Sequence, residues 1–263
     1  MSGAGTLAIA TWNVNSLRVR LPHLTRWLPD AGVDVLGLQE IKLPDESFPA
    51  AELAAVSLAG AWHGQRSYNG VALLAREAVA DVSRGIPGYH DEQARVIAAT
   101  IRGVRVIDVY VPNGQSVGSD KYRYKLEWLE ALKGYLTAEL ARWPLLAVVG
   151  DFNIAPEDRD VHDPKAWEGQ VHVSPDERAA LTELLGTGLV DVFRRFEQPP
   201  NAYSWWDYRQ AAFRRDLGLR IDLILVSHAL AARATACRID REPRSWERPS
   251  DHAPVVASFD LST

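Results

Sequence analysis

Four carboxylates stand where apolar, strand-like runs end or begin. Glu40 closes Val33 to Gln39, Asp151 comes with Gly150 after Leu145 to Val149, Asp222 lies in Ile221 to Val226, and Asp251 precedes Val255 to Phe259. Asn13, Asn153 and His252 accompany them. A lone carboxylate at a strand end usually caps a turn. Four of them with two amides and an imidazole form a constellation, at the strand ends where α/β proteins keep reactive groups. An oxygen-rich donor set suits a hard cation such as Mg²⁺, with Mn²⁺ as a substitute. Zinc would call for more His or Cys. A dication among carboxylates beside an imidazole fits metal-assisted hydrolysis of a phosphate ester.

The elements that must carry these groups are legible as hydrophobic periodicity. Leu7 to Val14, Val33 to Gln39, Val71 to Leu74, Val96 to Ile101, Val104 to Val111, Ile221 to Val226 and Val255 to Phe259 read as strands. Tyr110 lies at the end of one of them. Leu21, Leu24, Trp27 and Leu28 have helical spacing, which predicts a helix over Pro22 to Leu28. A long helix is predicted from about Lys121 to Arg142, stopped by Pro144. Ser174-Pro175-Asp176-Glu177 carries the signature of a helix start, and Gly186 ends that helix. Strand runs alternate with single helices before residue 150 and again after it. The expected fold is an α/β (α+β) four-layered αββα sandwich, with two packed mixed β-sheets flanked by helices. No Gly-, Ser- or Pro-rich linker divides the chain, so residues 1–263 read as a single domain of two similar lobes meeting near residue 150.

Composition narrows the setting. The 263 residues are 47% hydrophobic and 24% charged, ordinary values for a globular protein. No run approaches the roughly 20 apolar residues of a membrane span, and the first residues lack the pattern of a signal peptide. The single Cys237 excludes an internal disulfide. A cytoplasmic, monomeric protein with no membrane partner is the expectation. A net charge of −5 runs mildly against a nucleic-acid partner, but carboxylates gathered round a dication do not repel phosphate once it is bound. Basic residues also cluster: Lys121, Arg123 and Lys125; Arg209, Arg214, Arg215 and Arg220; Arg241, Arg244 and Arg248. These clusters are expected to contact phosphates.

Five motifs in order carry a family resemblance: Thr11-Trp12-Asn13-Val14-Asn15-Ser16-Leu17-Arg18, Leu38-Gln39-Glu40-Ile41-Lys42, Gly150-Asp151-Phe152-Asn153, Leu219-Arg220-Ile221-Asp222 and Ser250-Asp251-His252. From about residue 7 to residue 260 the chain resembles the exonuclease III family of apurinic/apyrimidinic (AP) endonucleases, within the endonuclease/exonuclease/phosphatase superfamily. The first two motifs, with Ser204-Trp205-Trp206-Asp207-Tyr208-Arg209, point to its DNA-repair branch rather than to relatives acting on phosphoinositides, sphingomyelin or RNA. A non-catalytic DNA-binding descendant would have lost some of these residues.

The resemblance implies hydrolysis of the phosphodiester 5′ to an abasic site in double-stranded DNA, with 3′–5′ exonuclease action and cleaning of blocked 3′ ends. It implies Glu40 as principal Mg²⁺ ligand, with Asn13, Asp151, Asn153 and Asp251 at or near the metal. Asp151 would orient or deprotonate the attacking water, with Asn153 holding it. His252, paired with Asp222, would contact the phosphate, as would Tyr110 and Asn113, and Asn15 would lie nearby. His252 is either the base or, with its pKa raised by a carboxylate, a cationic clamp; the clamp is preferred. Trp205, Leu219 and Ile221 fall where the family builds a pocket for a base-less sugar. Trp205 and Trp206, adjacent in a strand, must face opposite sides. The loop from Asn113 to Asp120 carries no bulky wedge, so Lys121, Arg123 and Lys125 are expected to grip the backbone, with Arg209 at another insertion point.

Overall fold

The structure, a computed structural model, describes residues 5–262. Twelve strands form two six-stranded sheets. The first contains β1 (Thr6–Asn13), β2 (Val35–Gln39), β3 (Ala59–His63), β4 (Val71–Ala75), β13 (Ala234–Ile239) and β14 (Val255–Asp260), in the order β13-β14-β1-β2-β4-β3. The second contains β5 (Ala80–Arg84), β6 (Val96–Ile101), β7 (Val104–Tyr110), β8 (Leu146–Asp151), β9 (Leu189–Asp191) and β12 (Asp222–Ser227), in the order β5-β6-β7-β8-β12-β9. A separate ribbon pairs β10 (Trp205–Trp206) with β11 (Gly218–Leu219). The helices are α1 (Leu17–Ala31), α2 (Ala50–Ala54), α3 (Asp120–Arg142), α4 (Pro164–Trp167), α5 (Pro175–Gly186) and α6 (His228–Ala231).

The two sheets repeat one pattern. Each has a single parallel pair at its centre, β1/β2 and β7/β8, and antiparallel neighbours on both sides. A parallel pair needs a long crossover, and α1 and α3 supply it. Side-chain alternation then builds the layers. Leu7 and Ile9 of β1, Val104 and Val106 of β7, Ala147 and Val149 of β8, and Ile224 and Val226 of β12 share the core between the sheets. Their alternates split outward. Ala10 and Trp12 pack with α1, while Ile107, Leu146, Val148 and Leu225 pack with Leu129, Leu132 and Leu136 of α3. The result is the four-layered αββα sandwich. The chain changes sheet between Ala75 and Ala80, and again between Ser227 and Ala234. Residue 150, the expected meeting point of two lobes, lies instead inside the second sheet.

Helix α1 is longer than Pro22 to Leu28. The Ser16 carbonyl accepts from the Val19 and Arg20 amides, both at 3.2 Å, which starts the helix before Pro22. Helix α3 is capped by Ser119, whose Oγ accepts from the Tyr122 amide. Helix α5 has the expected box of Ser174 and Glu177. Two glycines let the layers close beneath the functional end. A Cβ on Gly37 would lie 2.8 Å from Val149 Cγ2 and 3.0 Å from Asp108 Cγ, and one on Gly150 would lie 1.9 Å from the Val109 carbonyl oxygen.

Candidate active site

Continuing the alternation of the inter-sheet core along each strand leads directly to the polar groups. After Leu7 and Ile9 come Thr11 and Asn13; after Ala147 and Val149 comes Asp151; beyond Val226 and Ile224 lies Asp222; after Val104 and Val106 come Asp108 and Tyr110. Register fixes them side by side, because Asp151 pairs with Tyr110 across β7/β8 and with Asp222 across β12/β8. The site is therefore the end of the inter-sheet layer where apolar side chains give way to polar ones.

One hydrogen-bond network joins both sheets. Asn13 Nδ2 donates to Glu40 Oε1 at 2.8 Å and to Asp151 Oδ2 at 2.9 Å. Its Oδ1 accepts from the Asn15 amide at 2.9 Å, which fixes the orientation of the side-chain amide. The amide nitrogen of Asn13 thus faces the two carboxylates. Asn15 Nδ2 donates to Asp251 Oδ1 and Trp205 Nε1 donates to Asp251 Oδ2, so both Asp251 oxygens are engaged. The Asn153 backbone amide donates to Asp151 Oδ1 at 2.9 Å, while its side chain bonds the Val111 carbonyl and accepts from Asn113. Glu40, Asn15 and Asn153 all have positive φ, 50°, 42° and 52°. Such backbone is sparsely populated and persists where surrounding contacts demand it.

His252 is buried with Nδ1 at 2.9 Å from Asp222 Oδ2 and Nε2 at 3.7 Å from Asp151 Oδ2. Burial works against its cation, but the Asp222 and Asp151 charges prevail and raise its pKa to about 10. Asp151 moves up to about 7, through burial and the charges of Asp222 and Glu40, opposed by His252 and Asn13. Burial would raise Asp251 too, yet the His252 charge and its hydrogen bonds bring it below the usual carboxylate range. Tyr110 is pushed well above its ordinary pKa by burial and by Glu40 and Asp151. Arg95 lies over its ring at 4.8 Å.

Atoms of Glu40, Asp151 and His252 lie within 4.8 Å of one another. Two converging carboxylates held in place by Asn13 suit a hard dication. The imidazole's Nδ1 is committed to Asp222 Oδ2 at 2.9 Å, so it turns Nε2 toward Asp151.

Trp206 is fully buried, whereas Trp205 keeps an exposed edge toward the site. Leu219 and Ile221 are sealed in a small core with Ala155, Val161 and Val173. Trp167 and His172 close on Trp205, with ring centroids 6.4–6.5 Å apart. Arg209 is exposed and paired with Asp207. The basic clusters divide. Lys121 and Arg123 are exposed, but Lys125 is fully buried against Glu177 and does not grip DNA. Arg220 is likewise buried, on Asp160 and Asp191, and Arg244 lies over the rings of Tyr208 and Phe213.

Three participants had no role assigned from sequence, and Lys125 had a different one. Lys42 Nζ contacts Glu40 Oε2 at 2.9 Å; its spacing two residues after Glu40 was the available signal. Ser204 Oγ donates to Asp222 Oδ2 at 2.6 Å and accepts from the Ile221 and Asp222 amides. His172 and the inward role of Lys125 left no local sequence signal.

Residues 10–252 match the Endonuclease/Exonuclease/phosphatase family. Exodeoxyribonuclease III of Haemophilus influenzae is 37% identical, over 95% of this chain and 98% of its own length. The structure of the Neisseria 3′ phosphatase NExo bound to a product DNA hairpin is 49% identical, with a TM-score of 0.95, covering 97% of this chain and 99% of that one. An AP endonuclease from Archaeoglobus fulgidus is 40% identical with a TM-score of 0.93, covering 97% of this chain and all of that one. This chain belongs to the Endonuclease/Exonuclease/phosphatase family, and within it to the exonuclease III-like nucleases, phosphodiesterases of DNA repair.

Proposed function

We propose that the site hydrolyses phosphate esters in damaged double-stranded DNA: the phosphodiester 5′ to an abasic site, and the ester linkages of blocked or ordinary 3′ ends. The observation that carries this is the row Asp222–His252–Asp151 beside Glu40, which pairs a cation with a carboxylate able to take a proton. Glu40 and Asp151 would hold Mg²⁺ or Mn²⁺, with Asn13, Asn153 and Asp251 ordering that edge; the bound ion supplies charge on the phosphate oxygens and a more acidic water. Asp151, held at Oδ1 by the Asn153 amide and at Oδ2 by Asn13, is placed to accept the proton of the attacking water. His252, kept cationic by Asp222, neutralises charge growing on a non-bridging oxygen. Tyr110 and Asn113 orient the phosphate, and Asn15 fixes Asp251. The protein is taken to act as a cytoplasmic monomer, with Arg209 and Trp205 against the DNA.

The shape of the pocket favours one balance of these activities. Leu219 and Ile221 lie beneath Trp205 rather than lining an open cavity, and Trp167 and His172 narrow what remains. A flipped sugar within a continuous strand needs more room than a terminal phosphate. Removal of 3′ phosphates is therefore expected to be faster than incision at internal abasic sites, in keeping with the 3′ phosphatase activity of the similar Neisseria protein.

The test compares wild type and Asp151→Ala on three duplexes: one with an internal tetrahydrofuran, one with a 3′ phosphate, and one undamaged. Each is assayed with Mg²⁺ and with EDTA. Mg²⁺-dependent release of phosphate, slower incision 5′ to the tetrahydrofuran, and loss of both in the variant are expected. Wild-type protein that leaves every duplex intact while hydrolysing a lipid or RNA phosphoester would overturn the assignment.

A further inference from the structure

Lys125 projects from α3 into the protein interior with no solvent exposure. Burying an ion pair is weak support for stability, since two apolar side chains of similar size often do as well. The acceptors of this ammonium are more informative. An ammonium has three protons, and here they reach Glu177 Oε1, the Asn153 carbonyl at 2.7 Å and the Asn113 carbonyl at 3.2 Å. Those carbonyls belong to the loops that follow β8 and β7, and their residues face the reacting end of the protein.

We propose that Lys125 is a positioning residue for phosphate hydrolysis, setting from inside the protein the loops that carry Asn113, Asn153 and, through Asn153, the Asp151 carboxylate. The proposal rests on the function inferred above. The path is two bonds long: Lys125 Nζ holds the Asn153 carbonyl, and the Asn153 amide holds Asp151 Oδ1 at 2.9 Å. On the other branch Lys125 holds the Asn113 carbonyl, while Asn113 Nδ2 donates to Asn153 Oδ1 at 3.3 Å.

The lysine is itself fixed. Glu177 accepts from the His172 amide at 3.0 Å and from the Ser174 amide and hydroxyl, at 3.2 and 2.5 Å, and Tyr122 OH meets that hydroxyl at 2.6 Å. His172 Nδ1 lies 2.6 Å from the same Asn153 carbonyl, and burial with the Lys125 charge lowers its pKa to about 4. Neutral His172 therefore carries its proton on Nδ1 and donates it to Asn153, leaving Nε2 free to face Asn113 Nδ2 at 3.5 Å. Arginine could not reproduce this arrangement, because its planar fork does not point at three acceptors set around one nitrogen.

The experiment uses Lys125→Met, Lys125→Arg and the double variant Lys125→Met with Glu177→Gln, in wild-type and Asn113→Ala backgrounds. Rates are read on a 3′-phosphate duplex and on bis(4-nitrophenyl) phosphate, which needs the site but no DNA. Misplacing a reacting group by about 1 Å costs on the order of a hundredfold, so kcat is expected to fall about a hundredfold with KM within about threefold. Glutamine can still serve in the α5 capping box, so the double variant recovers thermal stability without recovering kcat. In the Asn113→Ala background Lys125→Met costs clearly less, because part of what it orients is already gone. A double variant with near wild-type kcat, or losses that simply multiply, would overturn the proposal. If Lys125→Met does not fold, the double variant decides. Wild-type protein inactive on both substrates would instead refute the functional reading.

Discussion

Replacing Asp222 by Asn removes the charge that holds His252 cationic while keeping the side chain's shape. The distance between His252's pKa of about 10 and its ordinary 6.5 corresponds to roughly 5 kcal/mol. Asp222, at 2.9 Å, and Asp151, at 3.7 Å, share in producing it. Loss of the nearer charge should bring His252 back toward neutrality or below, since burial alone favours the uncharged ring. Two readouts follow. In wild type the imidazole NMR signals stay protonated through pH 8, whereas in Asp222→Asn they titrate below that. The kcat of the variant on a 3′-phosphate duplex falls on the order of 10²–10³-fold at pH 8, as loss of a fixed electrostatic partner does elsewhere, and falls less at pH 6, where part of the imidazole regains its proton. The stability sign is definite. A raised folded pKa gives stability fully present below pH 6.5 and lost as pH rises through about 10. The urea midpoint of metal-free wild type should therefore decline over that window, and that of Asp222→Asn should decline less. A wild-type His252 titrating near 6.5, or an unchanged pH–rate profile in the variant, would refute this reasoning.

Two further outcomes test the same centre from other sides. Asp151 is raised to about 7, so protons compete with the dication for it; Mg²⁺ should lift the thermal midpoint more at pH 8 than at pH 5.5 by calorimetry, and Glu40→Gln should abolish the difference. Ser204→Ala leaves the buried Ile221 and Asp222 amides without their shared acceptor and removes one of the donors to Asp222 Oδ2, so denaturant titration should show a loss of about 1–3 kcal/mol together with a fall in kcat.

The central strands and their chemistry were readable because they follow simple alternation. Ile9, Val106, Val149 and Ile224 announce the inter-sheet layer, and the polar residues that continue their rows announce the site. The strands missed in the two large sheets, β3, β5, β9 and β13, lie at sheet edges and are short or carry many exposed residues. Without one apolar face they give no period to detect. Charge was misleading for another reason. Lys125, Arg220 and Arg244 look like surface residues in any composition count, and only their buried partners, Glu177, Asp160 and Asp191 for the first two, and rings for the third, explain why they lie inside. Those partners are distant in sequence. The same holds for His172, which reaches the site only because the segment before α5 folds under the Asn153 loop.

The pairing of β1 with β14 has a consequence for how the enzyme is born. The first sheet's central strand takes one neighbour, β2, soon after synthesis, but its other edge is satisfied only by β14, made far later in the chain. The Trp12 indole, for example, donates to the His252 carbonyl across 240 residues of chain. At a ribosomal speed of about 5–20 residues per second, that edge waits on the order of 10–50 s for its partner. Throughout that interval one edge of this apolar strand has no partner, and an unpaired edge is a template for aggregation. The nascent chain also lacks Asp251 and His252 until then, so a nuclease able to cut DNA exists only once translation has carried the chain past both.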